Sequence, residues 1–115
     1  MSFKNRLQPV PLTSVDVSTL TDISYTVVNG DGLPFPCSLM RISNNSGVDI
    51  LISFDGINDH EFVFNDQVVA LNAQTNAAPT NFVSLFPKGQ KVYAKVYTGT
   101  GTGALIVSAY GLLSE

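Results

Sequence analysis

Apolar residues in this chain recur at every second position, the period of a strand with one face in a core and one in solvent. In "VDILISF", residues 48–54, Val48, Ile50, Ile52 and Phe54 share one face, and Asp49, Leu51 and Ser53 the other. In "KVYAKVYT", Val92, Ala94 and Val96 face one way, and Lys91, Tyr93, Lys95 and Tyr97 the other. Ile23, Tyr25 and Val27 alternate in the same manner, and "ALIVSAYGLL" from Ala104 reads as a strand. Between these runs stand "NGDGLPFP" at 29–36, "NNSG" at 44–47, "FDG" at 54–56, "PKGQ" at 87–90 and "TGTGTG" at 98–103. Gly and Asn accept positive φ and Pro fixes φ, so each is a turn with a mechanism. Such regular punctuation predicts an all-β chain, an antiparallel sandwich or barrel of about seven or eight short strands. Helix is confined to a turn or two near residues 66–74.

The chain has 115 residues, enough for one domain with its own core. Pro9 and Pro11 bar the first dozen residues from a central strand. The expected organisation is an extended arm over 1–12 and a single domain over 13–115. Only 13% of residues are charged, about half the usual share, while 44% are apolar. A surface this poor in charge suits a protein covered by other protein. The formal charge is −3, and the six basic residues form no clustered stripe beyond Lys88–Lys95, so nucleic acid is not expected as the main partner. The single cysteine, Cys37, excludes an intramolecular disulfide and reads as a small buried hydrophobe. No segment approaches the ~20 apolar residues of a membrane span, nor the apolar stretch of a signal peptide. Synthesis and initial residence in a cytoplasm are expected.

The densest chemistry lies in "FDGINDH", residues 54–60, which holds the only histidine. A catalytic site would pair His60 with Asp55 or Asp59 and recruit Cys37 as nucleophile, yet no local cation apart from Arg41 would lower that thiol's pKa. A calcium loop wants carboxylates at alternate positions and a closing Glu, and zinc wants three or four ligands; neither pattern is present. Asp55-Gly56 instead closes the preceding strand, because Asp bonds its own local backbone and Gly accepts positive φ. Asn58 and Asp59 are expected to do the same for the next bend, leaving His60 at a strand entrance. "TGTGTG" lacks the following helix and the Gly-Lys-Ser/Thr of a phosphate loop. It is expected to join strands 91–97 and 104–110 as a hairpin. Neither catalytic nor metal-binding residues are expected, and no cofactor.

Three surfaces are candidate contacts: the arm, with Phe3, Leu7, Val10 and Leu12; the polar loop 72–81, with Thr75 and Asn76; and the strand face carrying Tyr93 and Tyr97. Tyrosines interleaved with lysines suit a subunit interface, or the stacking of bases or sugars.

The succession "SLMRISNNSGVDILISFDGINDHEFV", a long polar loop, then "VSLFPKGQKVYAKVYTGTGTGALIVSAYG" resembles small virion proteins of tailed bacteriophages. The resemblance covers residues 37 to 111 and consists of turn chemistry and strand pattern. It implies a β-sandwich, jelly-roll-like module that works by assembly, as a capsid decoration or head-fibre protein or in the head-to-tail region, collar or tail. It brings no catalytic residues. The expectation is a non-enzymatic virion component, made in the host bacterial cytoplasm. Its partners would be copies of itself and other virion proteins, such as major capsid or portal and tail proteins, with no membrane involved. The alternative is a carbohydrate- or receptor-binding β-sandwich of a fibre or tail, using Tyr93, Tyr97 and the loops. A small enzyme built around His60 is a further competitor.

Overall fold

The computed structural model describes the backbone of residues 5–72 and 86–114, and the side chains of 8–72 and 86–111. Eight strands lie among them: β1 (Asn5–Asp16), β2 (Thr26–Val27), β3 (Cys37–Asn45), β4 (Ile50–Ser53), β5 (Glu61–Val63), β6 (Val68–Asn72), β7 (Tyr93–Val96) and β8 (Ala104–Ser114). They form two antiparallel sheets, ordered β1-β8-β3-β6 and β2-β7-β4-β5. Among the described strands only β4 and β5 are consecutive neighbours in one sheet; every other connection crosses to the opposite sheet. That interleaving is a jelly roll, a sandwich of two Greek keys. The expected all-β sandwich is therefore present.

One core lies between the sheets. Met40 and Ile42 of β3 and Leu105, Val107 and Ala109 of β8 meet Ile50 and Ile52 of β4, Val63 of β5 and Ala94 and Val96 of β7, all buried. The alternation in 48–54 and 91–97 thus reads the inner face correctly. Ser53 is buried on the other parity because its hydroxyl serves the turn that follows.

Three local expectations differ from what is found. Residues 23–27 do not form a full strand: the Thr21 hydroxyl accepts hydrogen bonds from the amides of Ile23 and Ser24, which turns the backbone and leaves Ile23 85% exposed. The strand is reduced to Thr26–Val27, and Val28 is the side chain that turns inward. Residues 68–72 are strand rather than helix, paired in register with β3 from Ser43↔Val68 to Leu39↔Asn72. The β-branched Val68 and Val69 favour this pleated pairing over a helical turn. "TGTGTG" is not a hairpin, since β7 and β8 belong to different sheets.

The described part of the N-terminal segment, from Asn5, lies within β1 and pairs with β8 from Asn5↔Ser114 to Asp16↔Ala104. Its prolines are accommodated because β1 is an edge strand, and the ladder is interrupted between Val10 and Thr13, where Pro11 falls. Residue 13, expected to begin the domain, is thus interior to this strand.

Strand directions gather the connections at two ends. Those at 17–25, 46–49, 64–67 and 97–103 share one end; those at 28–36 and 54–60, with the approach to β7 at 86–92, share the other. No helix among the described residues is long and apolar enough to cross a membrane.

Candidate interaction surface

The hairpin "FDGINDH" joins β4 to β5, and its polar atoms are turned on its own backbone. The Asp55 carboxylate accepts hydrogen bonds from the amides of Ile57 and Asn58, each at 2.8 Å, from Asn58 Nδ2 at 2.8 Å and from the Ser53 hydroxyl at 2.9 Å. Ser53 Oγ accepts from Gly56 N at 2.9 Å, and Gly56 takes the expected positive φ of 78°. His60 Nδ1 accepts from Phe54 N at 2.9 Å, and its ring stacks on Phe54 with centroids 5.6 Å apart. His60 Nε2 lies 3.9 Å from Asp55 Oδ2, beyond hydrogen-bond reach. Asp59 departs from expectation: it leaves its own bend to accept a hydrogen bond from the Tyr25 hydroxyl. Cys37 is fully buried at the start of β3, its Sγ 3.3 Å from Phe35 O, and burial pushes the thiol up, away from the reactive thiolate. No contact brings it to His60. Among the described residues no group of three His, Cys, Asp or Glu stands together as a metal site.

The amides of Asn58 and Ile57 hold the Asp55 carboxyl well below the usual carboxylate range. The sign follows: a carboxyl depressed in the folded state adds stability above its unfolded value of about 3.9, and that stability is lost as pH falls towards the folded value. The carbon-13 signal of the Asp55 side-chain carboxyl should therefore hold steady as pH falls to about 4 and move only in stronger acid. An ordinary titration of that carboxyl near pH 4 would contradict the geometry.

The outer face of the β2-β7-β4-β5 sheet is the larger feature. Leu51 stands opposite both Phe62 and Lys95, so side chains from three strands form one row. Phe62 makes edge-to-face contacts with Phe64 at 4.8 Å and Tyr97 at 5.1 Å. Phe64 is nevertheless 57% exposed and Tyr97 53%. At the other end of the row, Lys95 Nζ sits 4.7 Å from the Tyr25 ring centroid and 3.8 Å from Asp59 Oδ1. Desolvation, then the hydrogen bond to Asp59, pushes the Tyr25 phenol up. Lys95 is engaged locally by an aromatic ring and a carboxylate rather than held out to a phosphate.

The structure distributes the expected contact residues unevenly. Tyr93 and Tyr97 do share the outer face: Tyr97 is exposed, and Tyr93 is partly buried with its ring over Gly56, where a Cβ would stand 3.3 Å from Cε2. Val10 packs partly against the core, and Leu12 is 69% exposed at the irregularity of β1. Leu7 lies in β1 opposite Leu112. Phe3, Thr75, Asn76 and the rest of the loop 73–81 lie outside the described residues. Tyr25, Leu51, Phe62 and Phe64 were not anticipated as part of this surface. "EFVF" shows Phe62 and Phe64 on one parity, but only the β5-β4-β7 register sets them beside Tyr97.

Comparison with protein-family models, with curated proteins and with solved structures finds no match to this chain.

Proposed function

We propose that the chain is a non-enzymatic structural subunit of a tailed-bacteriophage particle. It acts in multiple copies on the capsid or in the head-to-tail or tail region, and docks through the outer face of the β2-β7-β4-β5 sheet. The observation that carries the docking surface is the Phe62–Phe64–Tyr97 cluster: two aromatic side chains more than half exposed, on a face where the neighbouring Lys95 is already paired with Asp59. Aromatic side chains with few free charges mark the centre of a protein interface. The phage assignment rests on the resemblance of residues 37–111 and on fold-level analogy, since jelly rolls include many capsid domains. The partners are copies of itself or the major capsid, portal or tail proteins, with neither nucleic acid nor membrane as main partner. The place of action is the virion, after synthesis in the host bacterial cytoplasm.

Phe64→Ser with Tyr97→Ser removes apolar surface at exposed positions, so the domain should keep its melting temperature to within a few degrees. Assembly, read as mass by light scattering across a concentration series or as binding to particles lacking the protein, should weaken about tenfold or more, as expected for interface aromatics. A double variant that assembles and binds like the parent would overturn the docking face. A parent chain that stays monomeric and binds no particle would overturn the structural role.

A further inference from the structure

The connections at both ends of the sandwich are bonded to each other, and one end also carries a groove. At one end these bonds run from Val17 N to Gly103 O at 2.9 Å, from Thr102 N to Ser46 O at 2.9 Å, and from Gly47 N to the Asn65 side chain at 2.8 Å. At the other end, Phe54, residues 87–91 and Tyr93 border an open groove of about 290 Å³. Phe54, Gln90 and Tyr93 line it, with Lys88 and Lys91 at its margin.

The groove is held in shape from behind. Gln90 Nε2 donates to Phe54 O and Lys91 O, both at 2.9 Å, tying the hairpin to the segment before β7. Gly89 N bonds Leu33 O at 2.7 Å and Leu33 N bonds Gln90 O at 3.1 Å, which fixes the same segment to the connection at 28–36. The buried Asn29 side chain donates to Gln90 O at 3.1 Å and accepts from Val92 N at 2.9 Å. A ligand would meet walls that are already ordered, which lowers the entropic cost of binding. Loops fixed on a rigid sandwich are where such sites commonly form.

The two charged residues that line the groove are both lysines. The chain carries −3 overall, yet Lys88 and Lys91 stand exposed without an ion-pair partner among the described residues. Lys95, by contrast, is paired with Asp59. Two free ammonium groups beside a tyrosine ring suit an anion attached to a ring with an apolar face. We propose that this groove binds an acidic saccharide, with its carboxylate or sulfate between Lys88 and Lys91 and a sugar ring against Tyr93. The groove is small and open, at the lower limit of ligand pockets, which suits contact with one sugar ring rather than enclosure of a larger ligand. Single-stranded nucleic acid would need successive stacking platforms along a basic track, and the groove offers one tyrosine. The groove shares Tyr93 with the outer face but includes neither Phe64 nor Tyr97, so the variants that test the two proposals are distinct.

The test is an NMR titration of the full chain with four probes: the glucuronate–N-acetylglucosamine disaccharide, uncharged cellobiose, sodium acetate and oligo-thymidylate. The acidic disaccharide should saturate, with shifts concentrated in residues 54–56 and 87–93, and bind at least about fivefold more tightly than cellobiose or acetate, a difference of about 1 kcal/mol. Lys88→Gln with Lys91→Gln should weaken it about tenfold while leaving the spectrum dispersed, and Phe64→Ser with Tyr97→Ser should leave it unchanged. No shifts in the groove, or equal binding of cellobiose, would overturn the proposal. Equal binding of acetate would mean an adventitious anion only, and tighter binding of the oligonucleotide at the same residues would make this a nucleic-acid site.

Discussion

Replacing Asn44 by alanine should destabilise the fold by about 3 kcal/mol and lower the melting temperature by roughly 10–15 °C. Asn44 belongs to β3, but its buried side chain reaches across the sandwich. Nδ2 donates to Val48 O at 2.8 Å, Val63 O at 3.1 Å and Phe64 O at 3.2 Å, while Oδ1 accepts from Ser46 Oγ at 2.5 Å. One amide therefore satisfies carbonyls at the start of β4 and the end of β5, polar groups that would otherwise face an apolar interior. Truncation strands several of them, at about 1–3 kcal/mol for each left unsatisfied. Asn44→Asp should be at least as harmful although nearly the same size, because it turns an acceptor towards three carbonyls. Thermal melts followed by circular dichroism would check both. A loss under about 1 kcal/mol for alanine, or an aspartate variant more stable than it, would show that solvent replaces the amide at small cost.

Gly103→Ala is the second large effect, expected at about 3 kcal/mol or more. The residue has φ of 86°, and a Cβ would stand 2.3 Å from Asn45 O, a backbone atom held in the β3–β8 ladder. Conformational strain of about 1–2 kcal/mol then adds to a clash that only backbone movement relieves. The same six-residue stretch holds the controls. Gly99 has φ of 85° with nothing within 4 Å, so alanine there should cost about 1 kcal/mol. At Gly101 a Cβ would meet Val17 Cγ1 at 2.6 Å and Val48 Cγ2 at 2.7 Å without a positive φ, and roughly 2 kcal/mol is expected from overpacking against stiff valines. Urea denaturation should rank the losses Gly103, Gly101, Gly99. Equal losses at all three would mean that the crossover is looser than its contacts imply.

How far the sequence discloses this molecule depends on the range of the interaction concerned. Period-two alternation identifies the inner face of 48–54 and 91–97 because one residue decides one side chain's direction. Asp55-Gly56 is readable because an aspartate and the amides it binds lie within three residues. At Ile23 the pattern misleads: the apolar parity is kept, but a hydroxyl two residues earlier takes the amides out of the ladder. "TGTGTG" looks like a hairpin because adjacent strands usually pair, and nothing local records that β7 and β8 lie in opposite sheets. The aromatic face shows the same limit. Tyr93 and Tyr97 are visible on one strand, whereas Phe62 and Phe64 join them only through β4, which pairs with β5 on one side and with the sequence-distant β7 on the other.

The position of β8 bears on how the chain reaches this state. It is the last described strand to be synthesised, yet it lies inside its sheet, between β1 and β3. Until residues 104–114 leave the ribosome, β1 has no partner, and β3 and β6 can form no more than an open two-stranded ribbon. Collapse before that point would leave the apolar sides of Met40, Ile42 and Ile52 incompletely covered. Closure joins Asp16 to Ala104 and Asn5 to Ser114 across nearly the whole chain, so folding falls on the slow, millisecond-to-second side of small domains. During synthesis the nascent chain must wait, with unpaired edges, for β8.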